Sequence, residues 1–234
     1  MTIKVRELDR VDSTNTYAKI NKNELENMTL IFASSQTKGH GRMGREWDSG
    51  HDENILSSLF IKEKELIQDY DSLSILFAVI VLKLLQEYGL KNVKIKWPND
   101  VFVGDKKIAG ILLEGSIPEY IVVGVGININ QKTLKFDTAT SMFNLLSRQI
   151  PLDEIKEKYI KLLKNELSNF QVDKKSYLDI INTNNYLEDK KVKFEYQNSI
   201  FTGKVISIDK NNKIVISTTQ ETYHLGYGEI QILK

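Results

Sequence analysis

The sequence contains no cysteine in 234 residues. That excludes a disulfide framework, a thiolate zinc site and a cysteine nucleophile, and it fits a reducing cytoplasm. Excess charge is also lacking. Thirty-two Lys and Arg against thirty-one Asp and Glu give a formal net charge of +1. Nothing there favours bulk binding to nucleic acid or to a membrane. The first residues, MTIKVRELDRVDS, carry charges every few positions and no apolar segment, which excludes a secretory signal. The longest apolar run, Leu73 to Leu85, is broken by Ser74 and Lys83. It is too short to span a bilayer and reads as a buried helix. Repeats and low-complexity tracts are missing as well. What is present is an ordinary globular composition, 41% hydrophobic and 27% charged, long enough for a main domain plus a small one.

Local patterns predict an α+β protein. Ile3–Glu7 alternates like a short strand, and Asp12 or Ser13 can cap a helix to about Lys22. Met28–Ser34 and Ile55–Ile61 read as strands. Asp71–Tyr88 reads as a helix, capped by Asp71 or Ser72 and stopped by Gly89. Val93–Trp97 is a strand that Pro98 ends. Val101–Val103 and Lys107–Glu114 look like a hairpin around Gly104-Asp105. Tyr120–Asn128 is a continuous apolar strand and so central. Leu152–Phe170 and Tyr177–Tyr186 have helical periodicity. From about residue 188 the pattern changes to short strands: Val192–Tyr196, Phe201–Ile208, Lys213–Thr218 and Thr222–Leu225. The expected organisation is a mixed β-sheet with helices over 1–187 and a small β-barrel over 188–234.

Four segments carry chemistry. The first to notice is Gln36 to Trp47, where Gly39, Gly41 and Gly44 are interleaved with Lys38, Arg42 and Arg45. Such a loop suits an anion. Its Gly-x-Gly-x-x-Gly spacing also matches a dinucleotide site, but Arg45-Glu46-Trp47-Asp48-Ser49-Gly50 follows with no apolar periodicity, so no helix opens there. Kinase and Walker signatures are absent. Ser13-Thr14-Asn15 offers donors and acceptors to a neutral polar ligand, or is a plain N-cap. Lys96-Trp97-Pro98-Asn99-Asp100, followed by Lys107-Ile108-Ala109-Gly110, ends a strand with an exposed Asn and Asp and a lysine on the next arm. Asp100 could hold Mg²⁺, and Lys107 could neutralise charge in a transition state; the alternative is a β-turn with a surface lysine. Gly124-Val125-Gly126-Ile127-Asn128 removes side chains from one face of a strand, for a flat group or for tight packing.

Taken together and in this order, the four segments resemble the biotin protein ligases. The resemblance is strong over about residues 5–130 and weaker through the barrel. It implies a catalytic core like that of class II aminoacyl-tRNA synthetases, followed by an SH3-like barrel. It implies ATP and Mg²⁺ as cofactors, biotin as substrate, and two steps: formation of biotinyl-5′-AMP, then transfer to a lysine of a biotin carboxyl carrier protein such as that of acetyl-CoA carboxylase. By position, Ser13, Thr14, Asn15 and Gln36 match residues around the biotin ureido ring. Gly39, His40, Gly41 and Arg42 match the loop that covers biotin and the adenylate. Arg45 adds charge to the nucleotide side, and Trp47 matches a tryptophan near the adenine. Asn99 and Asp100 match the nucleotide and metal side. Lys107 matches the lysine at the reacting carboxylate and α-phosphate, so Lys107 and Arg42 are the expected catalytic residues. Gly110, Gly124 and Gly126 match the pocket wall, and Asn128 the nucleotide side. Two departures stand out: His40 where many relatives have Arg, and Met43 where they have a basic residue. In the barrel, Asp209-Lys210-Asn211-Asn212 stands where relatives often have Gly, and Asn tolerates the left-handed conformation that turn needs.

Some family members carry an N-terminal helix-turn-helix domain. Ser13-Thr14-Asn15 comes too early for one, so ligase activity without DNA binding is expected. Edge strands leave a homodimer open without selecting it. The competing readings are a lipoate–protein ligase, whose Arg-Arg-x-Ser-Gly-Gly-Gly type of segment is missing, and a non-catalytic biotin-binding protein, for which Lys107, Arg42 and Asp100 would be superfluous.

Overall fold

The structure is a computed structural model that describes residues 2–226 and 231–233. The expected 1–187 and 188–234 divisions therefore include residues 1, 227–230 and 234, which lie outside the described residues. The first sheet has seven strands: β1 (Lys4–Val11), β2 (Thr29–Gln36), β3 (Asn54–Ile61), β4 (Val93–Lys96), β5 (Asp100–Val103), β6 (Lys106–Ser116) and β7 (Tyr120–Asn128). Their order is β1-β2-β3-β7-β6-β5-β4. Only the β1–β2 pair is parallel, joined across helix α1 (Thr14–Ile20), and the remaining pairs are antiparallel. The sheet is therefore mixed, and β7 is central as its unbroken apolar character implied.

Alternation along the strands sorts side chains to two faces. On β3, β6 and β7 one set comprises Ile55, Leu59, Ile61, Ala109, Ile111, Ile121, Val123, Val125 and Ile127. This set packs beneath α3 (Tyr70–Glu87), a helix buried nearly all round because α5 (Leu152–Val172) and α6 (Lys174–Thr183) cover its far side. A helix apolar on every face needs such two-sided cover. The other face of the sheet carries a smaller apolar cluster, Ala18, Leu25, Ile31, Phe60, Tyr120 and Val122, under α1. Beyond that cluster the second face is open, and the site lies there. No helix among the described residues is long and apolar enough to cross a membrane.

Several expected boundaries move. The first strand runs to Val11 rather than Glu7, because its parallel pairing with β2 extends to Val11↔Gln36. The apolar helix starts at Tyr70 with Asp69 in the cap position, ahead of Asp71 or Ser72. The last helix ends at Thr183 rather than Tyr186; Tyr186 instead stacks on Phe102 at 4.7 Å. Two five-residue helices, α2 (Lys64–Gln68) and α4 (Met142–Leu146), are too short to show a period.

The second sheet is antiparallel and five-stranded: β8 (Lys191–Tyr196), β9 (Ser199–Ile208), β10 (Ile214–Ser217), β11 (Thr222–Leu225) and β12 (Gln231–Leu233), in the order β11-β10-β9-β8-β12. Four of these strands match the expected segments; β12 closes against β8 and carried no sequence signal. The module is docked firmly. Phe194, Val205, Ile208 and Ile216 belong to the same buried cluster as the first sheet. Asn182 donates to the Ile208 carbonyl and accepts from its N–H, at 2.9 and 2.7 Å. Asn212 takes the left-handed conformation, φ 61°. Its carbonyl accepts from the Trp97 indole at 3.1 Å and its amide donates to Ser72 at 2.6 Å.

Candidate functional site

The open face is laid out by strand register. Directly paired residues share a face of a sheet, and Asp100↔Gly110, Gly110↔Gly126 and Leu56↔Gly126 are pairs. They form one row across four strands. The next row is Leu112, Gly124 and Ser58, and beyond it lie Glu114 and Val122. Simple alternation would put Lys107 opposite Gly110. The register slips between Val101 and Phe102, so that Val101 faces Ala109 while Phe102 faces Lys107. A bulge of this kind re-aims a side chain, and here it brings Lys107 Nζ over Gly110. A Cβ at Gly110 would lie 3.1 Å from that nitrogen.

A cavity of about 670 Å³ stands on these rows, a size suited to a small ligand of cofactor class. One end is uncharged. Ser13, Thr14 and Asn15 are buried at the start of α1. Gln36 Oε1 accepts from the Thr14 N–H at 2.8 Å and its hydroxyl at 3.1 Å. Ser58 Oγ lies 2.7 Å from Thr14 Oγ1 and 2.6 Å from Asn15 Oδ1, and its single proton serves one at a time. Asn15 packs so tightly on Gly124 that any Cβ there would collide with its amide. The expected flat group against the glycine wall is thus, in part, the protein's own. At Gly126 it is the Trp47 indole, whose Cε2 would lie 2.5 Å from a Cβ. Trp47 Nε1 is buried without a hydrogen-bond partner.

The other end is charged. Arg42, Arg45, Lys96 and Lys107 line it, together with Glu46, Asp100 and Glu195. Lys107 Nζ pairs with Asp100 Oδ1 at 2.6 Å and lies 5.3 Å from the Trp47 ring centre. Arg42 reaches Asn99 Oδ1 at 3.5 Å, and the Asn99 amide donates to the Ile111 carbonyl at 2.9 Å. The glycine loop opens no α-helix; it makes one 3₁₀ turn over Arg42–Gly44. Its glycines have different reasons. Gly44 sits at φ +69°, and Gly39 leaves no room for a Cβ, which would come within 2.8 Å of the Trp47 carbonyl.

Most expected site residues therefore meet in one cavity: Ser13, Thr14, Asn15, Gln36, His40, Gly41, Arg42, Arg45, Trp47, Asn99, Asp100, Lys107, Gly110, Gly124 and Gly126. Gly39, Lys38 and Asn128 do not line it. Asn128 is buried and spends its amide on the Thr140 carbonyl at 3.0 Å. Sequence reasoning named Lys96 in its segment without giving it a role, and it missed the β8–β9 turn, whose Gln197 and Asn198 reach the cavity with Glu195, as well as Ser58 and Glu114, which bond Thr14 and Asn15. Alternation from Gly110 along β6 could have flagged Glu114, since Gly110, Leu112 and Glu114 share a face. Glu114 accepts from Lys19 at 2.5 Å and from Asn15 at 2.9 Å. Burial works to raise its carboxyl, but those bonds and the charges of Lys19 and His40 outweigh it and hold it below the ordinary value. No cluster of three His, Asp or Glu suited to a metal occurs among the described residues.

Residues 7–128, more than half of the chain, match the model of the Biotin/lipoate A/B protein ligase family. The chain belongs to this family. For a biotin/lipoate A/B ligase-family protein the matched span is telling: it holds the cavity floor, the glycine loop and the α1 corner, and leaves out the β8–β9 turn. Curated relatives include the bifunctional ligase/repressor BirA of Bacillus subtilis, 27% identical over 221 residues, covering 87% of this chain and 66% of the relative. Another is the biotin–[acetyl-CoA-carboxylase] ligase of Paracoccus denitrificans, 37% identical over 132 residues, covering 53% and 52%. This family member thus spans between about half and two thirds of the length of these relatives. Among solved structures, biotin protein ligase from Aquifex aeolicus in complex with biotin and ATP superposes with a TM-score of 0.87 at 26% identity, covering 99% of both chains.

Proposed function

We propose that this protein is a biotin–protein ligase of the biotin–[acetyl-CoA-carboxylase] type. The observation that carries the reading is a single cavity with an uncharged hydrogen-bonding end and a cationic end, joined over a glycine floor. Ser13, Thr14, Asn15 and Gln36 suit a neutral cyclic urea. Arg42 and Lys107 suit the meeting point of two anions, with Arg45, Trp47 and Asn99 on the nucleotide side. In the first step a biotin carboxylate oxygen attacks the α-phosphorus of ATP, and the bond to the bridging oxygen breaks to release pyrophosphate. Lys107 is held beside that point by Asp100, and its ammonium stabilises charge as it grows on the α-phosphate oxygens. In the second step the amine of a carrier lysine attacks the acyl carbon of the mixed anhydride, loses a proton, and AMP leaves with the bonding electrons. Gly39, His40, Gly41 and Arg42 cover the adenylate between the steps, while Gly110, Gly124 and Gly126 form the wall.

Four cationic side chains against three carboxylates on the charged end leave too little charge to neutralise a triphosphate. Mg²⁺ is usually bound by one or two carboxylates together with substrate phosphates. Asp100 would hold the ion, which would supply charge neutralisation to the phosphates. Incubated with biotin, Mg-ATP and a biotin carboxyl carrier domain, the protein should add one biotinyl group to one carrier lysine, read by intact mass. Transfer of lipoate in its place would assign the chain to the lipoate branch. Biotin binding with no transfer would make it a binding protein.

A further inference from the structure

We propose that Glu114 is a positioning residue that ties the Asn15 amide to the cover loop through a protonated His40, so that seating of the loop is linked to one proton. Glu114 stands on the site face of β6 and uses both carboxylate oxygens. Oε1 accepts from Lys19 Nζ at 2.5 Å; Oε2 accepts from Asn15 Nδ2 at 2.9 Å and lies 3.4 Å from His40 Nε2. The bond to Nδ2 fixes the Asn15 amide, so its Oδ1 is turned towards Ser58.

The other ring nitrogen of His40, Nδ1, lies 3.1 Å from the Lys38 carbonyl. Both neighbours of the imidazole are therefore acceptors with no proton to give. A neutral ring has one N–H and can satisfy one of them; the imidazolium has two and satisfies both. Arginine at this position would hold Glu114 at any pH. Histidine makes the hold conditional. The surrounding charges are Lys19 from α1, Glu114 from β6, and Lys38, Arg42, Arg45 and Glu46 from the loop itself. Glu46 is turned away to Lys135 at 2.6 Å. Burial works to raise the Glu114 carboxyl, but its bonds to Lys19 and Asn15 outweigh that and hold it below the ordinary value, so it remains an acceptor for the His40 ring.

Loss of the imidazolium proton removes the charge attraction to Glu114 and costs one of the two ring contacts, to the Lys38 carbonyl within the loop or to Glu114 on the sheet, while the loop's backbone bonds stay in place. Gly41 N–H still donates to Arg45 and Trp47 N–H to Gly39, at 2.7 and 2.9 Å. What weakens is the tie between loop and sheet. For a ligase, the adenylate is then held more tightly in mild acid and leaks faster as pH rises. That consequence rests on the function proposed above, whereas the tie itself does not.

The test needs no substrate. Hydrogen–deuterium exchange of the peptide over 37–47, corrected for intrinsic rates, is compared in wild type, His40→Arg, His40→Ala and Glu114→Gln, each checked for an unchanged thermal unfolding transition. Wild type should match His40→Arg at the acid end of a pH series and lose about threefold protection relative to it at the alkaline end. His40→Ala should be poorly protected throughout, and Glu114→Gln should erase the pH dependence. A constant ratio of wild type to His40→Arg overturns the proposal, as does an intact pH dependence in Glu114→Gln. An active ligase with a flat ratio would sink the tie alone; an inactive protein with the expected profile would sink the ligase reading alone.

Discussion

Single residues decide the chemistry of this site, and Lys107 is the clearest case. It is the cation held closest to the glycine floor, by a 2.6 Å pair with Asp100. Lys107→Ala should lower adenylation by about 10²–10³-fold, as loss of one preorganised donor to developing charge does, with a much smaller effect on biotin affinity. Equal losses in single-turnover adenylation and in biotin binding by calorimetry would assign Lys107 to ground-state binding instead. Its place in the site was legible through the family resemblance that Lys96–Asp100 followed by Lys107–Gly110 carries; the residues alone left a surface lysine open. Glu114 was not legible in that way, since a carboxylate near a strand end resembles any solvated surface group. Asn128 is the opposite case. It lies on the site face by alternation, yet the Thr140 carbonyl takes its amide, and no sequence pattern announces that contact.

At the scale of elements, strand periodicity was legible and its interruptions were not. β3, β6 and β7 appear where apolar alternation or continuity places them, because β3 and β7 are buried along nearly their whole length and β6 packs one face on the core. The bulge between Val101 and Phe102 leaves no mark in the sequence, although it alone turns Lys107 onto the face of Gly110. The glycines of β7 were legible as a surface for something flat, but not as a seat for Trp47 and Asn15. Gly126→Ala tests that seat. A Cβ 2.5 Å from the indole must unseat Trp47, while the strand keeps its pairing. The variant should fold with near-wild-type stability, show altered tryptophan emission and lose most of its nucleotide affinity. Unchanged emission and affinity would mean that the indole does not depend on the glycine.

The whole molecule is held together by few polar contacts and a shared core. The β9–β10 turn at Asn212 binds Trp97 and Ser72 beside the first sheet, and Phe194 and Ile216 join the main apolar cluster. The barrel is thus part of the wall behind the site, which brings Gln197 and Asn198 to the cavity. A change of periodicity near residue 188 was legible; docking was not, because it depends on two distant segments meeting. Asn212→Ala removes the bond to Ser72 and strains a left-handed turn, so it should destabilise the protein by about 1–2 kcal/mol in urea unfolding. Asn212→Gly should recover the turn but not the bond, and should fall between the two. The most direct measurement of the central claim is exchange of labelled pyrophosphate into ATP by the folded protein with Mg²⁺. Exchange that requires biotin and disappears in Lys107→Ala is expected. A folded protein that shows no exchange with biotin, or shows it equally without, would contradict the reading of this cavity as an adenylation site.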